Sequence, residues 1–130
     1  MAAWHYDLFL VATGPVEIGT LTSRLSDQLR SFSSPAPALL LWGSADGDRI
    51  DFWTNHSPVQ LLARLDLRTP SDSFRRLLLD VAREFGLTLV NADDVEIETT
   101  DAALLAEISG SAAQGFVSNP PADHDEDDSA

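Results

Sequence analysis

The residues of this chain with chemistry to offer are three histidines, one mixed polar and aromatic loop, and five carboxylates between positions 93 and 101. The loop is Phe52-Trp53-Thr54-Asn55-His56-Ser57-Pro58. A hydrolase built there would need Ser57 or another serine as nucleophile, His56 as base, and an acid such as Asp51 to orient the imidazole. Two adjacent residues do not readily form a nucleophile and its base, and no G-x-S-x-G elbow occurs anywhere. No catalysis is expected of the chain. Trp53 is left with two readings, a core side chain or a buried anchor for a partner.

The carboxylates are Asp93, Asp94, Glu96, Glu98 and Asp101. On a strand Glu96 and Glu98 point to one side, with Val95, Ile97 and Thr99 to the other, which predicts an acidic stripe facing solvent. Such a stripe is a solvated face, a surface for a basic protein, or a general acid–base pair if a cleft sets the right separation. Among the histidines, only His5 has a potential co-ligand on its own strand, Asp7 two residues on, and a third ligand would have to come from elsewhere. Asp46, Asp48 and Asp51 echo a calcium loop, but the glycine and the third oxygen are out of register, and a hairpin turn explains them. Gly14 to Thr20 echoes a phosphate loop whose lysine is missing, with Glu17 inside the would-be cradle. No metal, nucleotide or other cofactor is expected.

The charge is lopsided. The eight arginines lie between Arg24 and Arg83, and there is no lysine. Residues 1–83 are near balance (8 − 9 = −1), while residues 84–130 carry twelve carboxylates and no cation, so the net charge of −13 sits almost wholly in the last third. A field of that sign repels nucleic acid and anionic membrane and attracts basic partners. With no cysteine, disulfides and thiolate metal sites are excluded. The start lacks a basic segment and an apolar run, so no signal peptide is expected, and no stretch approaches the ~20 apolar residues of a membrane span. The expectation is a cytoplasmic protein.

The elements that must position these residues follow from periodicity. Trp4–Ala12 reads as a buried strand, closed by Thr13-Gly14-Pro15. Ile18, Leu21, Leu25, Leu29 and Phe32 form one helical stripe, stopped by Ser33-Ser34-Pro35-Ala36-Pro37. Ala38–Ser44 and Arg49–Thr54 flank an Asp46-Gly47 turn and predict a hairpin. Val59–Arg68 fits a helical turn or a strand, with a strand expected over Ala63–Arg68. Ser71–Phe85 is a helix with capping residues before it and Gly86 after it. Leu87–Asn91 and Val95–Thr99 predict two strands, and Thr100 caps a helix from Asp101 to Ser109 or further. The sum is an α+β fold, a mostly antiparallel sheet with helices on one face. Its nearest standard topology is a ferredoxin-like core (βαββαβ) with an extra strand and a C-terminal helix. One domain over 1–118 is expected, followed by a disordered acidic tail over 119–130, where no apolar side chain can offset the loss of chain entropy.

Leu65-Asp66-Leu67-Arg68 with the following helix Phe74–Phe85 and strand Leu87–Val90 is one familiar passage. Leu104–Phe116 running into Val117-Ser118-Asn119-Pro120 is a second. Together they resemble a loose group of small bacterial α+β proteins without assigned activity, of the polymorphic-toxin immunity type. Those motifs are structural, and the resemblance carries over no site residue. It implies a non-catalytic protein-binding module that covers or plugs a basic partner. On that reading Asp93, Asp94, Glu96, Glu98 and Asp101 meet the partner's cations and Trp53 anchors the contact. The alternative is a small regulatory domain that holds a ligand between sheet and helices.

Overall fold

Strict alternation in the first strand sets the architecture. Along β1 (His5–Ala12), Tyr6, Leu8, Leu10 and Ala12 are buried, while His5, Asp7, Phe9 and Val11 on the opposite side are half-buried. A strand reading this way has helices on one face only. The computed structural model describes residues 3–118 and shows that arrangement. A seven-stranded, wholly antiparallel sheet runs in the order β2-β3-β4-β5-β1-β6-β7. The other strands are β2 (Ser31–Phe32), β3 (Leu39–Gly43), β4 (Arg49–Trp53), β5 (Gln60–Asp66), β6 (Leu87–Asn91) and β7 (Glu96–Ile97).

The helices are α1 (Ile18–Gln28), α2 (Asp72–Phe85), α3 (Asp101–Ser109) and α4 (Ala112–Ser118). One core joins β1 to Leu21 and Leu25 of α1, Phe74, Leu78 and Val81 of α2, and Leu104 and Ile108 of α3. Ser71 Oγ caps α2 by accepting from the Phe74 amide, and Gly86 closes it in the left-handed region. The helix carries β5 across β1 to β6, so β5 and β6, parallel to each other, flank β1 and pair with it antiparallel. Truncating a fully buried leucine in this core, such as Leu78, would cost about 2–5 kcal/mol.

The α+β expectation, a mostly antiparallel sheet with helices on one face, therefore holds. The ferredoxin-like core is not confirmed as such. Two strands, β2 and β3, stand between α1 and β4, and β7 with two helices follows β6. Several boundaries also differ. The first helix ends at Gln28, and Leu29 is already extended. Phe32 leaves the helical stripe for an edge strand because its partner Leu41 offers a ladder position. The strand over residues 59–68 begins at Gln60, pairing fully with β1. Val95 does not turn inward; it is 54% exposed, because the β6–β7 turn extends to it and leaves only Glu96 and Ile97 in the ladder. The expected acidic tail lies outside the described residues.

The uncovered face of the sheet carries its own polar network. Arg49 donates to both oxygens of Asp51 (2.8 and 3.2 Å) on β4. Arg64 and Asp7 face each other in register across β5 and β1 at 3.9 Å, close enough for an ion pair but too far for a hydrogen bond. Burial pushes the Asp7 carboxyl up, against the pull of Arg64. At the end of this row Arg68 stacks over the Trp4 ring at 4.0 Å and donates to Asp66.

Candidate functional site

The turn between β6 and β7 is built by one side chain. Asn91 Oδ1 accepts from the amides of Asp93 and Val95, both at 2.9 Å, and the Asn91 carbonyl accepts from Asp94 N at 3.0 Å. This is the self-made turn that asparagine favours, and it places Asp94 at φ +64°, a conformation aspartate tolerates better than most residues. Asp93 and Asp94 are held outward by a fixed backbone. Glu96 sits in the ladder opposite Val90, and Glu98 follows, both exposed. Thr100 Oγ1 then caps α3 by accepting from the Ala103 amide.

Which carboxylates remain free is decided by the arginines. Arg24 holds Glu84, Arg49 holds Asp51, Arg64 faces Asp7, Arg68 holds Asp66, and Arg83 lies near Asp80. Arg75, itself buried, holds two first-turn acids at once, Asp72 of α2 and Asp101 of α3, the latter at 3.0 Å from Nε. Asp93, Asp94, Glu96 and Glu98 take no part in any ion pair among the described residues. The structure thus keeps four of the five sequence-selected acids together as an unneutralised edge. The fifth, Asp101, points to Arg75 and spends its charge tying α3 to α2.

Trp53 lies elsewhere. It ends β4 on the uncovered sheet face, 46% exposed and opposite Leu39. Four strand spacings separate β4 from β7, about 19 Å. The packed-core reading of Trp53 does not hold; that role belongs to Trp42, whose Nε1 donates to Ser26 Oγ on α1 at 3.1 Å.

The remaining sequence candidates have structural duties. His56 Nδ1 lies 2.9 Å from the Pro58 carbonyl in an exposed loop, and Asp51 is engaged by Arg49. His5 Nε2 sits 3.1 Å from the carbonyl oxygens of Asp46 and Gly47, clamping the hairpin turn to β1. Asp48 Oδ1 accepts from the Asp66 amide at 2.8 Å. Glu17 caps α1, its Oε1 accepting from both the amide and the hydroxyl of Thr20 at 2.7 Å. Among the described residues no three histidine or carboxylate side chains converge on a point where a metal ion could sit.

Behind the acidic edge lies a cleft of about 340 Å³ that the sequence did not announce. It opens between the start of β1, the end of β6 and the α3–α4 junction, and is walled by Tyr6, Asn91, Asp93, Glu107, Ser111 and Ala112, among others. Asn91 Nδ2 donates to Glu107 Oε1 at 3.1 Å, so the residue that builds the turn also fixes the cleft wall. The Tyr6 hydroxyl is buried without a hydrogen-bond partner among the described residues. Burial, and secondarily the charges of Glu107 and Asp93, push its pKa up to about 12. The one signal that could have found this cleft is Asn91 two and three residues before the Asp93-Asp94 pair, a turn signature whose amide has a spare donor. A second, smaller cavity of about 140 Å³ lies between β5, α2, α3 and α4, bounded by Leu67, Phe74, Ile108 and Gln114.

Comparison with protein-family models, with curated proteins and with solved structures returned no significant match to this chain.

Proposed function

We propose that the protein is a non-catalytic binding module, of the immunity or inhibitor kind, that takes a basic protein partner on its β6–β7 edge. One observation carries this reading. The acids Asp93, Asp94, Glu96 and Glu98 are exposed within six residues on and after a turn held by Asn91, and no arginine neutralises them. Seven other acids of the described chain are paired, and the other unpaired ones, Glu17, Asp27, Asp46, Asp48 and Glu107, form no such run. Uncompensated charge on a rigid edge speeds encounter with a partner of opposite sign and fixes its register. The edge also suits a protein contact because β7 is only two residues long and charged, which discourages indiscriminate strand pairing. Asp101 and Trp53 fall outside this contact, the first engaged by Arg75 and the second four strands away across the sheet.

The test compares the full chain with D93N/D94N/E96Q/E98Q as baits in lysate of the native host, at low and high salt. A basic protein held stoichiometrically by the wild type, released by salt and missed by the variant is the expected result. Equal retention of the same partner by both baits, with the same salt dependence, sinks the proposal. The smaller cavity under α2 and α3 favours a second reading, a ligand-sensing domain. That reading requires a small apolar compound to raise Tm in a way that Leu105→Gln or Ile108→Val, both lining that cavity, alters.

A further inference from the structure

We propose that the cleft behind the acidic edge is a socket for an organic cation bearing N–H donors, an ammonium or guanidinium group on an aliphatic stem. The inference rests on the reading of the edge as a basic-partner surface and names the chemistry that enters it. Two independent features meet in the cleft. Asp93 and Glu107 bring negative charge to its walls with no arginine in reach to offset it. Tyr6, only 7% exposed, brings a hydroxyl that has no hydrogen-bond partner among the described residues. An unmatched buried hydroxyl is unfavourable, and a donor that reaches it removes the deficit.

The kind of cation follows from shape and donor set. No three metal-ligating side chains converge among the described residues, which argues against a bare metal ion. About 340 Å³ falls at the small end of ligand sites, enough for an extended side chain rather than a single ion. Ala92, Ala112 and Ala113 also line the cleft, which suits methylene groups. Glu107 keeps one oxygen free after accepting from Asn91, so a guanidinium or ammonium can donate to that oxygen while lying against Tyr6, which lines the same cleft. His5 and Asp7 line the outer rim but are already engaged, by the Asp46–Gly47 turn and by Arg64.

The same head group comes from two sources, a free amine or the arginine of a partner protein. Tyr6 is the chain's sole tyrosine, so tyrosine labelled with carbon-13 at Cζ places one resonance in the cleft. The full chain is titrated at constant ionic strength with agmatine, with Nα-acetyl-argininamide, and with tetramethylammonium, which has the charge but no N–H. A saturable shift with agmatine or the argininamide, absent with tetramethylammonium, is expected. In Glu107→Gln, which keeps the reporter, the affinity falls about tenfold. In Tyr6→Phe, followed by calorimetry, it falls several-fold. Agmatine alone assigns the site to free amines; the argininamide binding as well as agmatine or better assigns it to a partner's side chain. No shift with either compound up to about 10 mM, or an equal shift with tetramethylammonium, overturns the proposal. Partner capture through the edge acids with a silent tyrosine would remove the socket alone. A saturable tyrosine shift with capture unaffected by D93N/D94N/E96Q/E98Q would remove the edge reading alone.

Discussion

Removing the Tyr6 hydroxyl should make this protein more stable. In most proteins a buried tyrosine hydroxyl is bonded, and Tyr→Phe is destabilising. Here the oxygen is enclosed and unmatched, at the base of a cleft whose nearest charges are negative. An unmatched buried donor costs about 1–3 kcal/mol, and the void left by one oxygen takes back part of that, so Tyr6→Phe should gain about 1 kcal/mol. Urea unfolding at neutral pH should show a higher midpoint at unchanged slope, and Tm should rise by about 3–6 °C. A second, larger difference appears in alkali. The hydroxyl titrates at about 12 in the fold against 10.0 in a free side chain, so the folded state holds its proton longer than the unfolded chain does. The stability this proton confers is complete below pH 10 and is lost as pH rises towards 12. Two pH units at about 1.36 kcal/mol each set an upper bound of about 2.7 kcal/mol on that loss. The chain has no lysine or cysteine, so no other side chain with an ordinary pKa between about 8 and 12 confuses the measurement. Tyr6→Phe should keep its stability across the window in which the wild type declines. A phenolate absorbance midpoint near 10, or a loss of 1 kcal/mol or more in Tyr6→Phe at neutral pH, would refute the reasoning.

Three further outcomes follow from particular residues. Gly43 adopts φ +101°, and a Cβ there would lie 2.3 Å from the Asp48 carbonyl oxygen, so Gly43→Ala should cost about 2–5 kcal/mol. Gly86, at φ +66° with open space around it, should lose only about 1 kcal/mol as alanine; equal penalties in urea unfolding would contradict the geometry. The Asp66 carboxyl is held below its ordinary range first by Arg68 donating to it, so its stabilisation is present above about pH 4 and disappears as pH falls through the depressed value. Asp66→Asn should cost about 1–2 kcal/mol at neutral pH, discounted because the Arg68 side chain is half-exposed, and should flatten the acid limb; parallel acid limbs in both proteins would refute this. A double-mutant cycle on Arg75→Met and Asp101→Asn should return a coupling of about 0.5–1 kcal/mol, since Asp101 is half-exposed; zero coupling would mean that the α2–α3 tie is not made in solution.

The sequence alone determined the features whose physics is local. The apolar run of Trp4–Ala12, closed by Thr13-Gly14-Pro15, dictated a buried first strand, and the one-sided cover on it came from the fold. The spacing of Phe74, Leu77, Leu78, Val81 and Phe85, with Ser71 and Gly86 at the ends, dictated the second helix. The two apolar segments around Asp46-Gly47 dictated the hairpin, although its positive φ falls at Gly43 and not at the Asp-Gly pair. The gathering of Asp93, Asp94, Glu96 and Glu98 on one edge followed from their closeness in the chain and the brevity of the turn. Only the tertiary structure decided what depends on residues distant in sequence. Phe32 carried the apolar spacing of a helix but found a ladder partner in Leu41, and pairing outweighed a weak local preference. Asp101 looked like its acidic neighbours until the fold brought Arg75 to it across 26 positions. Trp53 and the acidic edge could be placed about 19 Å apart only once the strand order was known. The Tyr6 cleft, too, exists because β1, β6 and the α3–α4 junction meet there. Charge and periodicity are properties of a chain segment, whereas neutralisation and enclosure are properties of neighbours, and neighbours are assigned by the fold.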